Sequence, residues 1–283
     1  MASKGNANRE TLSDRMKEYE AVTTSSTLVK KLPIYARIDM RAGHTFCRGL
    51  DKPFDNAYST TMKAVTAYLV DKTGAIVGYT QSDEISLVWL DASKVPFENR
   101  IFKLESVLAG MASSAFAIYG CRGKLNDKIQ KHFPCFDCRV MNLPTLAEAA
   151  NMLMWREQDA VKNSITLLAL EHFSTKQIHK KNSADKVKML AGIGVDYYCI
   201  PEDLRNGAYF HRVVGSKTLS DEALEAIPEK FRPKPNTTDG KVAVIRSCVQ
   251  QYSLGGLLTN MDMEKKIEVL FGQENKGDEA DEA

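Results

Sequence analysis

Strict apolar alternation that ends in a carboxylate is the feature that most restricts how this chain can fold. From residue 33 to 39, Ile34, Ala36 and Ile38 fall on one face and Tyr35, Arg37 and Asp39 on the other, the period of a β-strand. A cation and a carboxylate therefore leave the sheet together. A second apolar run, residues 75–79, leads through Gln81-Ser82-Asp83-Glu84 into a stretch where Ile85, Leu87 and Trp89 share a face, which places Ser82, Asp83 and Glu84 at a hairpin turn. If the strands are neighbours, that turn holds Asp83 beside Asp39. Mg²⁺ is a hard cation usually held by one or two carboxylates together with substrate phosphates, and two such ions about 3.5 to 4 Å apart serve phosphoryl transfer. Ordinary turn acids would show the same spacing, so spacing alone leaves both readings open.

Helical periods flank these strands. Lys52-Pro53-Phe54-Asp55 opens a helix with Pro53 in its first turn and Tyr58, Met62, Val65 and Leu69 on one face; residues 72–74 stop it. After the hairpin, which runs to Leu90, a second helix carries Ile101, Leu104, Leu108, Met111, Ala115 and Ile118 on its buried stripe. The order β-α-β-β-α through residue 119 predicts an α+β fold: a ferredoxin-like palm, an antiparallel sheet with helices on one face, plus helical and C-terminal extensions. Gly43 permits a turn after Asp39 whose consecutive amides can cradle phosphate oxygens. Arg100 and Lys103 share a face at the start of the second helix, where the macrodipole also favours anions. They suit a triphosphate or a solvated charged surface equally.

Pro144-Thr145 starts a third helix with Leu146, Met152, Leu153, Trp155, Ile165, Leu168 and Phe173 as buried positions. Its middle, Trp155 to Asp159 and then Lys162-Asn163-Ser164, is polar enough either to face solvent or to line a site. Residues 179–188 form a basic patch, and Gly192-Ile193-Gly194 is too isolated for a dinucleotide loop. Arg205, Tyr209, His211 and Arg212 suit RNA contact or an ordinary strand and turn. The expected organisation is a flexible or helical lead-in at 1–30, a palm catalytic core at 31–140, a helical, RNA-contacting part at 141–235 that completes the catalytic domain and closes on an extended linker at 231–235, a C-terminal extension at 236–272 and a disordered acidic tail at 273–283.

Composition sets outer bounds. A chain of 283 residues, 43% hydrophobic and 26% charged, can bury a real core. Its net charge of +2 means that nucleic-acid binding has to come from local basic clusters. No apolar run approaches the roughly 20 residues of a membrane span, and the polar start has no signal-peptide core, so a cytoplasmic protein without membrane partners is expected. The six cysteines are scattered as reduced thiols would be. Cys135 and Cys138, with His132 nearby, leave a zinc site open.

Arg37-Ile38-Asp39-Met40-Arg41, Lys52-Pro53-Phe54-Asp55 and Gly78-Tyr79-Thr80-Gln81-Ser82-Asp83-Glu84 together resemble the core of the histidine-tRNA guanylyltransferases and their Thg1-like relatives, the reverse-direction (3′ to 5′) nucleotidyltransferases. Phe136-Asp137-Cys138-Arg139, Trp155-Arg156 with Asp159, and Ala184-Asp185-Lys186 follow in the family's order. The resemblance implies a palm like that of conventional polymerases, two Mg²⁺ ions, ATP activation of an RNA 5′-monophosphate, and attack by the 3′ hydroxyl of GTP or another NTP. It implies Asp39 and Asp83 as catalytic metal ligands with the main-chain carbonyl of Met40, and Glu84 in a supporting role. The loop Asp39, Met40, Arg41, Ala42, Gly43 and His44, with Lys52, Asp55 and Ser82, would bind nucleotide, and Arg37, Arg100 and Lys103 a second triphosphate. Arg139, Arg156, Lys162, Asn163 and Lys186 would contact tRNA or another RNA, and a homo-oligomer, a tetramer in the family, is implied.

Two departures matter. The family's Asp-Gly-Arg is Asp39-Met40-Arg41, and its eukaryotic His-Ile-Asn-Asn-Leu-Tyr-Asn signature falls on Val161 to Leu167, where one Asn remains. The second favours 5′-end repair or a different RNA over addition of an extra guanylate. A non-catalytic RNA-binding protein on a palm is the alternative, followed by a nucleotide cyclase, whose Gly-Gly-Asp/Glu-Glu-Phe turn is absent.

Overall fold

The computed structural model describes residues 11–91 and 95–272; the expectations for residues 1–10 and for the acidic tail lie outside the described residues. Strands β1 (Ile34–Met40), β2 (Val77–Gln81), β3 (Glu84–Trp89), β4 (Phe136–Asn142), β5 (Ala208–Thr218) and β6 (Ala243–Tyr252) form one antiparallel sheet in the order β4-β1-β3-β2-β5-β6. The helices among the described residues are α1 (Leu12–Thr24), α2 (Gly43–Cys47), α3 (Asn56–Thr73), α4 (Ile101–Gly120), α5 (Asn126–His132), α6 (Leu146–His172), α7 (Thr175–Ile178), α8 (Ser183–Ala191), α9 (Glu202–Arg205), α10 (Asp221–Glu225) and α11 (Met263–Phe271). The unit β1-α3-β2-β3-α4-β4 is the ferredoxin-like palm, with β1 central between β3 and β4.

Alternation divides the sheet's faces. Ile34, Ala36, Ile38 and Met40 join Ile85, Leu87 and Trp89 in a core against α3 and α4. The other face, with Tyr35, Val77, Tyr79, Val88 and Tyr209, is covered by the extensions, α6 and α11. The palm's own helices thus lie on one face, and the added segments close the second.

Local chemistry fixes the helix ends. The Asp55 side chain accepts from the Tyr58 amide at 2.8 Å to start α3, and Gly74, at φ 70°, ends it in the left-handed region. Thr145 caps α6 by accepting from the Glu148 amide. In the basic patch, Asn182 and Asp185 cap each other reciprocally and start α8. The lead-in is helical from Leu12, held by the same device between Thr11 and Asp14.

Several expectations are corrected. The turn after Asp39 is a short helix, α2, entered through Ala42 at φ 56°. By length and composition α4 is apolar enough to cross a membrane, contrary to the sequence reading, yet Leu104, Leu108, Ala112 and Phe116 bury its inner stripe in the core. Its outer side leaves Ile118 53% exposed, and Trp155 of α6, expected inside, is 51% exposed. All six cysteines are free thiols. No three His, Cys, Asp or Glu side chains converge as metal ligands among the described residues, which gives the zinc reading no support. β5 pairs with β2 only from Ala208 to His211; from Arg212 to Thr218 it pairs with β6 alone, as a two-stranded ribbon.

Candidate active site

The C-terminal end of β1 is where the loops converge. Asp39 lies opposite Glu84 of β3 and Asp137 of β4, and the next amide, Met40, donates to the carbonyl of Asp83 at 3.0 Å. Arg41 donates to the Cys135 carbonyl at 2.9 Å, tying the loop to the start of β4. The hairpin between β2 and β3 closes through Ser82, at φ 50°, and presents Asp83 half-buried. Gly43, at the start of α2, packs so closely on the Asp83 carboxylate that a Cβ there would overlap it. Only glycine lets the loop lie against that side chain.

Negative charge is concentrated here. Burial, then the neighbouring Asp83 and Asp137, push the Asp39 carboxyl above its ordinary value against the pull of Arg37 and Arg139. The neighbouring Asp39 and Asp83 carboxylates are hard oxygen donors. That set fits Mg²⁺, which takes its remaining ligands from phosphates and water.

A cavity of 560 Å³ opens beside the pair, walled by the α2 loop, residues 47–55, the first turns of α3, Thr80 to Asp83, α6 and α9. Of the expected nucleotide contacts, Gly43, His44, Lys52, Asp55, Ser82 and Asp83 line it, and of the expected RNA contacts, Asn163. Asp55 is also spent on capping α3 and on the Asp51 amide at 3.1 Å. Arg41 and Ala42 are exposed on the loop above, outside the wall.

Other predicted residues stand elsewhere. Glu84 is 7% exposed and accepts from Arg156 Nε at 2.6 Å, while Arg156 reaches Asp159 at 3.0 Å. Arg156, itself 6% exposed, is therefore committed inside the protein: it fixes Glu84 and is not free to contact RNA. Arg37 comes within 4.0 Å of Glu84 and lies directly across from Arg139. Arg100 and Lys103 are exposed at the start of α4, on the opposite face of the sheet from Arg37, and neither lines the cavity. Lys186 donates to Thr166 of α6 at 2.9 Å, and Lys162 is exposed on α6 outside the wall.

The structure adds residues the sequence reading did not single out. Lys63 and Asp203 meet at 2.6 Å where α3 faces α9 across the cavity. Lys63 sits one and two turns beyond Ser59 and Asp55, a stripe visible in the sequence, whereas Asp203 had no local signal.

The chain is similar to several known proteins. A family model described as tRNAHis guanylyltransferase, Thg1, matches residues 13–144. A bacterial tRNA(His) guanylyltransferase (Thg1)-like protein in complex with ATP is 33% identical, covers 71% of this chain and 88% of its own, and superposes with a TM-score of 0.65. A bacterial protein of the same description in complex with GTP is 27% identical, covers 84% and 89%, and gives 0.60. A Drosophila melanogaster protein described as a probable tRNA(His) guanylyltransferase is 27% identical over 221 residues, 72% of this chain and 76% of its own length.

Proposed function

Because the chain belongs to the Thg1 family of tRNA(His) guanylyltransferases and Thg1-like proteins, and is thus a nucleotidyltransferase, we propose that it adds nucleotides in the 3′ to 5′ direction to the 5′ end of tRNA or a tRNA-like RNA, with Mg²⁺, ATP and GTP or another NTP. The observation that carries this reading is that Asp83 stands in the wall of a nucleotide-sized cavity while Asp39, just outside that wall, is tied to it through the Met40 amide and feels its charge. Relatives solved with ATP and with GTP support the choice of substrates.

In this reading Asp39, Asp83 and the Met40 carbonyl hold the metal, which when bound neutralises phosphate charge and lowers the pKa of an attacking hydroxyl. The remaining work belongs to the chain. The Met40 and Arg41 amides pin the loop to the Asp83 and Cys135 carbonyls, and the Gly43 and His44 amides in the first turn of α2 are the ones held in place for the phosphates, so little reorganisation accompanies reaction. Lys52 supplies positive charge within the cavity, where Lys63 is already paired with Asp203, and its apolar wall of Met62, Leu167 and Leu204 excludes water from the base. Arg37, braced by Glu84, faces charge that gathers outside the cavity.

Incubating the protein with Mg²⁺, ATP, each labelled NTP and a 5′-monophosphorylated or 5′-truncated tRNA is expected to give RNA extended at its 5′ end. Asp39→Asn and Asp83→Asn are expected to lower the rate by about 10²-fold or more while RNA binding persists. No incorporation with any of the four NTPs would overturn the reading.

A further inference from the structure

A second cavity, of 370 Å³, adjoins the first, between α6, α9, the start of β5 and the end of β6. Its volume falls in the range of about 300–1,000 Å³ usual for small-molecule sites. The wall carries three carboxyl groups, Glu157, Glu202 and Asp203, and no lysine, arginine or histidine. Asp203 has Lys63 as its partner at 2.6 Å. The other two have only neutral donors: Glu157 accepts from the Tyr209 hydroxyl and the Leu258 amide, and Glu202, at the exposed mouth, from the Ser253 hydroxyl at 3.0 Å. Neither forms an ion pair among the described residues. Glu202 lies close enough to add to the burial that pushes the Glu157 carboxyl up to about 7, so positive charge placed between them would meet a need that the protein itself leaves open.

Tyr252 points to a ligand independently. It stands in the same wall with its hydroxyl buried and without a hydrogen-bond partner among the described residues, and its ring is fixed by His211, stacked at 3.8 Å between ring centroids. A buried hydroxyl left unpaired costs free energy that a bound molecule recovers. The shape of the site narrows the choice of molecule. The carboxyls do not converge as metal ligands among the described residues, so a point cation cannot meet them together, and their charge repels phosphates. A chain bearing several amino groups can reach them in turn, its methylenes lying against Tyr209, Tyr252 and Leu254.

We infer that this cavity binds an aliphatic polyamine, with one ammonium group between Glu157 and Glu202 and a further amino hydrogen donated to the Tyr252 hydroxyl. The site is separate from the nucleotide cavity, although Asp203, Gly207 and Ala208 belong to both walls. The turn between α9 and β5 divides the two, held by the Tyr79 hydroxyl, which donates to the Asn206 carbonyl at 2.7 Å. The inference does not rest on the proposed function, and its test reads binding without turnover.

Titration calorimetry of the full chain with spermidine, in the presence of Mg²⁺, is expected to show one saturable site. Glu202→Gln is expected to weaken it about tenfold and Tyr252→Phe about threefold, the losses of one charged and one neutral acceptor, whereas Asp83→Asn leaves the affinity unchanged. Tyr252→Phe removes a hydroxyl that has no partner in the free protein, so its melting temperature without spermidine is expected to equal or exceed the parent's; a lower affinity then reports a lost ligand contact and not a damaged fold. Absence of saturable binding would overturn the site. So would unchanged affinity in Glu202→Gln, which would place the amine elsewhere on the surface, or lost affinity in Asp83→Asn, which would place it among the carboxylates at the end of β1. A Tyr252→Phe protein that melts lower yet binds spermidine as the parent does would assign the hydroxyl to an internal water and overturn its part in the site.

Discussion

Gly43 shows how narrowly the site is set. Its missing side chain is the space the Asp83 carboxylate occupies, so Gly43→Ala must move either the loop or the ligand. A displacement of about 1 Å costs on the order of 10²-fold in rate, and Gly43→Ala is expected to lose that much kcat while its thermal melt stays close to the parent's, since α2 is short and its far end remains anchored by buried Phe46. Alternation and turn position put Arg37, Asp39 and Asp83 at the strand ends, while their roles came from the family resemblance. The place of Arg156 could not be read in this way, because its carboxylate partner is 72 residues away in sequence, and a charged residue in a helix gives no sign of a buried partner that distant.

At the scale of the element, α6 does two jobs along its 27 residues. Its first half packs Ala149, Ala150 and Leu153 onto the sheet, and further along Asn163 and Leu167 face the cavity. Between them the inward side of the polar waist is buried: Glu157 accepts from the Leu258 amide at 2.7 Å and from the Tyr209 hydroxyl at 3.1 Å, joining the C-terminal extension to β5. Burial pushes the Glu157 carboxyl up to about 7. A carboxyl whose folded pKa lies above its unfolded value favours the folded state below the unfolded value and loses that contribution as pH rises through the folded one. Glu157 therefore lowers stability as pH climbs from the ordinary carboxylate range to about 7. Glu157→Gln keeps an acceptor for Leu258 and can donate to Tyr209, so its melting temperature is expected to fall less than the parent's between pH 5 and 8, measured by thermal scans across that range. The first three strands and the α3 and α4 stripes were legible because each repeats one local period. The role of α6 was not, because its surroundings change from sheet to cavity along its length.

For the molecule as a whole, the palm was readable and its enclosure was not. The second face of the sheet is closed by segments far along the chain from β2 and β3, with Leu270 and Phe271 of α11 buried beside Leu153 and Tyr79. Each such side chain stabilises by about 1.5–3 kcal/mol, so a chain ending at residue 261 is expected to melt several degrees lower and to bind a hydrophobic dye that the full chain does not. The sheet's two margins also differ. Along β4 the Phe136 and Val140 amides donate to Ser113 and Glu105 of α4, so part of that border is already hemmed by side chains. β6, with Ile245 79% exposed and Arg246 as its only charged residue, forms the opposite border. Asn236 stitches this border at Ala243, at the ribbon's end, and the apolar stretch beyond it recruits another strand more readily than a border hemmed by polar groups, so in concentrated solution the molecule is asymmetric in its appetite for its own kind: clumping should begin at the ribbon.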